Sequence, residues 1–224
     1  MHPHAETLWR GPRWTLAILL AVLGMLGPFS IDTYLPAFSG IASSLNASPV
    51  HMQQTLSAYL FGFAFMNLFH GALADSFGRR PVILWGLMAF TLASLGCALA
   101  QNVTQLIVFR AMQGLSCGAG VVVSRAIVRD IFPPTQAQKV MSQITIFFGL
   151  APAIAPIMGG WLFVSLGWHS IFWLLTAIGL ALWAVNFKML PESLHASQRQ
   201  PFSIPHLMRG YWQLCTDPRF LLLA

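Results

Sequence analysis

The chain has 224 residues, of which 56% are apolar and only 8% charged, against roughly 25% charged in an ordinary soluble domain. That balance excludes a water-soluble enzyme or binding domain and leaves a membrane protein, measured in runs of roughly 20 apolar residues per bilayer crossing. A net charge of +6 would suit nucleic acid. The basic residues, however, stand at the ends of apolar runs and form no continuous stripe, so no nucleic-acid partner is expected and the charges set orientation instead.

Residues 1–13 read as a cytoplasmic N-terminus. Arg10 and Arg13 before "WTLAILLAVLGMLG" resemble the charged and apolar regions of a signal peptide. No convincing A-x-A site follows, and five more apolar runs do, so an uncleaved first span is expected. Six spans fit into 14–190, at about 14–38, 52–74, 82–101, 104–128, 138–163 and 169–190. Residues 191–218 turn polar and read as a cytoplasmic central loop. Within it Ile204, Leu207, Met208, Tyr211, Trp212 and Cys215 recur at helical spacing, with His206, Arg209 and Gln213 elsewhere around the axis. Either a short helix on the membrane interface or an ordinary linker fits that pattern. "RFLLLA", residues 219–224, is expected to be the cut-off start of a seventh span.

The positive-inside rule then fixes the topology. Arg10 and Arg13 precede span 1; Arg79 and Arg80 separate spans 2 and 3; Arg125, Arg129 and Lys139 flank the turn between spans 4 and 5; Lys188, Arg199, Arg209 and Arg219 follow span 6. Eleven of twelve basic residues fall on one side, which puts the N-terminus in the cytoplasm. The exception is Arg110, six residues into span 4 and roughly 9 Å along the helix from its outer end. A buried arginine there needs protein or a water-filled cavity around it, and a partner. Asp32 of span 1 is the acid at matching depth, and the pair is expected to meet. Asp32 reads as a proton-carrying carboxylate in a cavity, or as a wet structural residue at the outer interface.

Three stretches carry further signals. In "GALADSFGRRP", Gly71 and Gly78 allow close packing and a tight turn, Asp75 sits at a helix end, Arg79 and Arg80 anchor the cytoplasmic side, and Pro81 opens the next helix. On spacing alone this is also just a charged turn. In span 4, "LIVFRAMQGLSCGAG" places Gln113 and Gly114 one turn after Arg110. In span 5, "GLAPAIAPIMGGWL" sets Pro152, Pro156, Gly159 and Gly160 where prolines loosen the helix and small residues admit a neighbour, a pattern that packing alone also explains.

These motifs resemble, in order and over about residues 14–192, the major facilitator superfamily and within it the bicyclomycin-resistance (Bcr/CflA) multidrug efflux branch. The departures are Ser76, Ser116 and Ala155. The resemblance implies an all-helical membrane protein: a six-helix bundle of two inverted three-helix repeats, half of a twelve-span fold. It implies that Asp75, Arg79 and Asp130 form a cytoplasmic latch, and that the span 5 motif marks antiport. The function it implies is proton-coupled efflux of small amphipathic substrates across the bacterial inner membrane, driven by the proton gradient without a cofactor. Asp32 and Arg110 would couple to protons or substrate, and Tyr34, Tyr59 and Phe63 would line the cavity. The missing half, or a homodimer, would complete it. A facilitator or importer of the same superfamily, or a non-transporting membrane fragment or scaffold, are the alternatives.

Other residues carry little. Cys97, Cys117 and Cys215 show no CxxC spacing, and the histidines no metal-binding pattern, so no metal is expected. "NVT" at 102 is a sequon by pattern only, and no GxxxxGK[ST], HExxH or GxSxG occurs, which argues against an ATPase domain or an enzyme.

Overall fold

The computed structural model describes residues 12–216. Among them are eight α-helices and no strand: α1 (Arg13–Asp32), α2 (Phe38–Ser44), α3 (Pro49–Phe77), α4 (Arg79–Ala98), α5 (Val103–Ile131), α6 (Pro134–Leu166), α7 (His169–Met189) and α8 (Ile204–Thr216). Six spans long and apolar enough to cross a membrane result, the first built from α1 and α2 and the others from α3 to α7. The expected seventh span, and the N-terminus before Pro12, lie outside the described residues.

Local chemistry sets the helix ends. Ser48 caps α3 by accepting from the His51 amide, with Pro49 at the first position, and Asn102 caps α5 by accepting from the Gln105 amide at 2.9 Å. Gly78 and Gly167 close α3 and α6 at φ of 104° and 81°, which side-chain-bearing residues resist.

Span 1 is longer than the sequence indicates. The chain passes through a short 3-10 turn, Leu35–Ala37, and continues as α2 to Ser44. Pro36 does not stop it, because it stands in the opening turn of that segment, where a missing N–H breaks no helical bond. Likewise α3 and α6 outrun their apolar cores at both ends, since polar stretches such as "HMQQ" and "TQAQK" stay helical beyond the oily run.

Close crossings at small residues hold the bundle together. A Cβ on Gly114 of α5 would stand 2.1 Å from the Tyr59 carbonyl oxygen of α3, and one on Gly159 of α6 would stand 2.0 Å from the Thr33 carbonyl oxygen just beyond α1. These two crossings, α5 on α3 and α6 on α1, are equivalent if spans 1–3 repeat as spans 4–6. The buried core follows spans 1 and 4, with 61% and 56% of their apolar windows inside, against 17% for each of α3 and α6. Those two helices turn most of their surface outward.

The central loop forms the helix α8, which docks along α3. The Gln200 amide donates to the Asp75 carbonyl at 3.1 Å and the Tyr211 hydroxyl donates to the Leu68 carbonyl, so α8 runs back along α3. Ile204, Met208 and Trp212 form its exposed apolar stripe.

Candidate functional site: a buried guanidinium, a broken span and a charge ring

Arg110 is fully buried in the middle of the bundle. The R-x-x-Q spacing puts Gln113 one turn along the same face of α5. Arg110 Nη1 donates to Gln113 Oε1 at 2.7 Å, and Gln113 Nε2 in turn donates to Ser94 Oγ of α4 at 2.7 Å. A longer contact of 3.4 Å reaches the Ser30 carbonyl of α1. The guanidinium is packed between two rings, with its carbon 4.2 Å from the centroid of Tyr59 and 4.6 Å from that of Tyr34. Each π face offers a buried cation a partial substitute for a counter-ion. Its Nε and Nη2 have no hydrogen-bond partner.

The two tyrosines are fixed at their hydroxyls. Tyr59 Oη shares a hydrogen bond with Ser30 Oγ at 2.6 Å, donates to the Gly27 carbonyl at 3.0 Å and lies 3.0 Å from Cys117 Sγ. Tyr34 Oη shares one with Thr55 Oγ1 at 2.6 Å. Phe63, one turn beyond Tyr59 on α3, packs against α1 at Gly27. Gly114 sits where the α3 backbone crosses. Tyr34 and Tyr59 are thus walls of the arginine box, with Phe63 beside it.

The expected Asp32–Arg110 pair does not form: no ion pair among the described residues includes either residue. Ser30 and Tyr34, four residues apart on one face of span 1, meet the α3 and α5 side. Asp32 lies midway between them, roughly 200° around the axis from each. It is the last residue of α1, half-buried, beside the break in span 1. The span 5 motif meets that break. Gly159 abuts Thr33, and Gly160 faces Pro36 at 3.8 Å from a built Cβ. Ala151, Ala155 and Gly159, spaced by four, form the buried stripe of α6, while Pro152 faces out and Pro156 is half-buried.

At the turn between α3 and α4 the expected acid and arginine contacts are present. Arg79 Nη1 lies 2.5 Å from Asp75 Oδ1, one turn earlier, and its Nε donates to Asp130 Oδ2 at 3.0 Å. Arg79 is buried here, so these bonds are shielded more than surface pairs are. Gly71, a half-buried residue one turn before Asp75, is 3.9 Å from Val122 by a built Cβ, so α3 and α5 lie close there. Arg80 faces elsewhere: Nη2 donates to the Phe187 carbonyl at 2.6 Å and its guanidinium covers the Phe187 ring at 5.5 Å.

Glu192 and Ser193 were missing from the sequence-level set. Glu192 Oε1 accepts from the Arg79 amide at 2.9 Å and the Leu194 amide at 3.0 Å, and Oε2 accepts from the Arg80 amide at 3.3 Å. Ser193 Oγ donates to Asp130 Oδ2 at 2.9 Å. Glu192 is therefore the cap of α4, supplied by a chain segment over a hundred residues away, with its negative charge at a helix N-terminus. Gly78 has no side chain to cap with, and a Cβ there would stand 2.4 Å from Glu192 Oε2. One signal was available: of only six acids in the chain, Asp75, Asp130 and Glu192 all stand at span ends on the side where the basic residues gather.

Comparison with known proteins agrees with the fold. A bicyclomycin resistance protein homolog of Haemophilus influenzae is 40% identical over 194 residues, 87% of this chain and 49% of that protein. An uncharacterized MFS-type transporter, YdgK, of Bacillus subtilis is 39% identical over 211 residues, 93% of this chain and 52% of its own. Multidrug resistance protein MdtL of Escherichia coli is 36% identical over 175 residues, 78% and 45%. The chain therefore spans about half the length of the curated relatives it matches. The crystal structure of the human organic anion transporter MFSD10 (TETRAN) superposes with a TM-score of 0.67 at 22% identity, over 88% of this chain and 53% of that one, a likeness of fold. Six apolar spans in this arrangement, and a match of residues 10–224 to the family model, mean that the chain belongs to the Major Facilitator Superfamily.

Proposed function

We propose that this chain is one transport half of a proton-coupled exporter that moves drugs or amphipathic metabolites out of the bacterial cytoplasm across the inner membrane. The observation that carries this reading is the middle of span 1. An intramembrane carboxylate without a cation partner among the described residues, Asp32, ends α1 beside a helix break, and Gly159 of the span 5 motif is pressed against the next residue. Broken spans are where coupling-ion sites are built. A carboxylate free of an ion pair can gain and lose a proton without first breaking a bridge. Its change of charge would be felt where α6 crosses span 1, which makes that crossing the element that moves.

Arg110 supplies a fixed positive potential in the neighbouring helix and orients the site. Tyr34 and Tyr59 shield it, and Phe63 extends the apolar wall. The names of the Haemophilus and Escherichia relatives support drugs as the substrate class. The outward faces of α3 and α6 suit a second six-helix bundle, and the basic span ends support an N-terminus inside.

The test joins the chain to a second half in inverted vesicles and follows proton release on adding an amphipathic cation such as ethidium. Asp32→Asn is expected to abolish ethidium-driven proton movement. Undiminished movement in that variant would overturn the role of Asp32.

A further inference from the structure

A cavity of about 420 Å³ opens between α3 and α4 with α5 as its floor. Its walls are Met66 and Leu73 of α3, Val82, Trp85, Gly86 and Ala89 of α4, and Met112 and Leu115 of α5. The polar side-chain groups in the lining are those of His70 and Ser116 and the indole N–H of Trp85. The mouth lies on the outside of the bundle, where Trp85, Ala89 and Met112 are exposed. His70 stands seven residues from the end of α3 and Trp85 six from the start of α4, so the crevice reaches roughly 10 Å along the helices from their cytoplasmic turn.

His70 is the informative residue. It is only 4% exposed and makes no hydrogen bond through either ring nitrogen, its Nδ1 being fully enclosed and unpaired. Nδ1 faces Gly118, where a built Cβ would stand 3.1 Å away, which leaves Nε2 as the nitrogen on the crevice side. The enclosed Nδ1 lies on the far side of the ring, beside the equally unpaired Asn67 Oδ1, so a guest in the crevice reaches Nε2 alone, a polar atom facing apolar walls that gains a hydrogen bond it otherwise lacks. No ionised side chain lines the cavity, and Asp75, the nearest acid along α3, is engaged with Arg79. A charged guest would find no counter-ion at that depth.

We propose that this crevice binds a membrane-dissolved, uncharged amphiphile with one hydroxyl group, such as a lipophilic alcohol or phenol, with the hydroxyl on His70 and the apolar body against Trp85 and Met112. An imidazole offers one donor and one acceptor, as a hydroxyl does. The volume suits a small guest, within the range of mostly apolar ligand pockets with few polar groups. The site is distinct from Asp32 and Arg110, and its occupancy is read without any transport.

The probe is a diazirine-bearing alkylphenol, photolysed with the chain in vesicles of phosphatidylethanolamine and phosphatidylglycerol, the labelled residues being located by mass spectrometry. Label is expected within residues 66–73 and 82–89 and is displaced by the non-photoreactive phenol. His70→Phe should weaken half-saturation about three- to tenfold, the worth of one hydrogen bond. Ala89→Trp, on the exposed rim and clear of the packed core, should block labelling while the thermal midpoint stays within a few degrees. Equal labelling in wild type and both variants overturns the proposal. So does labelling of the same residues by a diazirine acyl-chain phosphatidylcholine that outcompetes the phenol and ignores His70, which would make the crevice a seat for a lipid tail.

Discussion

Replacing Glu192 by Ala tests the charge ring at its least expected member. The carboxylate accepts from two backbone amides of α4, at 2.9 and 3.3 Å, and from its own loop at 3.0 Å. Its side chain is 27% exposed, so solvent weakens each bond. A charge-assisted bond at the low end of its range, about 1.5 kcal/mol, plus about 0.5 kcal/mol for the longer one gives about 2 kcal/mol. That corresponds to about thirtyfold faster opening of the first turn of α4. Hydrogen exchange followed by mass spectrometry on the membrane-held chain reads this directly at the Arg79 and Arg80 amides and, on the other side of the contact, at Leu194. Glu192→Gln keeps one acceptor and loses the charge, so its effect should fall between wild type and Glu192→Ala. Exchange at Arg79 and Arg80 that changes less than threefold in Glu192→Ala would refute the capping assignment.

Gly159→Val should separate α6 from span 1, because a side chain there collides with the Thr33 carbonyl, and overpacking of this kind costs about 1–3 kcal/mol. Gly149→Ala on the same helix meets open space and should be neutral or stabilising by up to about 1 kcal/mol, which makes it the matched control in a thermal unfolding series. Arg110→Met removes a buried charge without orphaning an acid but leaves the buried Gln113 Oε1 without its donor, so folding stability should fall by no more than about 1–3 kcal/mol while proton-coupled transport falls; a loss above about 4 kcal/mol on chemical unfolding would show a hidden counter-charge. Gln113→Leu does the opposite: it leaves the arginine in place but strips its shortest bond, and should destabilise the bundle by about 1.5–3 kcal/mol. Ser193→Ala should cost about 1 kcal/mol or less at Asp130, read as faster exchange at the end of α5.

The six spans were legible because each apolar run is long enough to cross and its charges stand at its ends. The Asp75, Arg79 and Asp130 contacts were expected through the family resemblance, since Asp130 ends a different span and no local spacing brings it to the turn that carries Asp75 and Arg79. Depth along a helix could be counted for Asp32 and Arg110, but not the direction each side chain takes around its axis, which the crossing of α1 with α5 and α6 decides. That is why two charges at similar depth do not meet. Tyr34 and Tyr59 were recognisable as aromatic neighbours of the site, yet their stacking on Arg110 depends on three helices converging. Glu192 was hidden for another reason: a cap in trans needs the chain to return to α4 after three more spans, and no local spacing records that return. The end of span 1 was placed near residue 38, whereas the small and polar residues beyond it stay helical to Ser44.

The ring that joins Asp75, Arg79, Asp130, Glu192 and Ser193 also has a place in the order of synthesis. Its first members are made early, but Arg79 lacks its backbone cap until residue 192 has been added, which is after the last of the six spans. Until then the α4 end carries two unanswered amides and two arginines at the membrane surface. The ring therefore cannot close until all six helices have been made, so its completion comes last in the order of synthesis of this bundle.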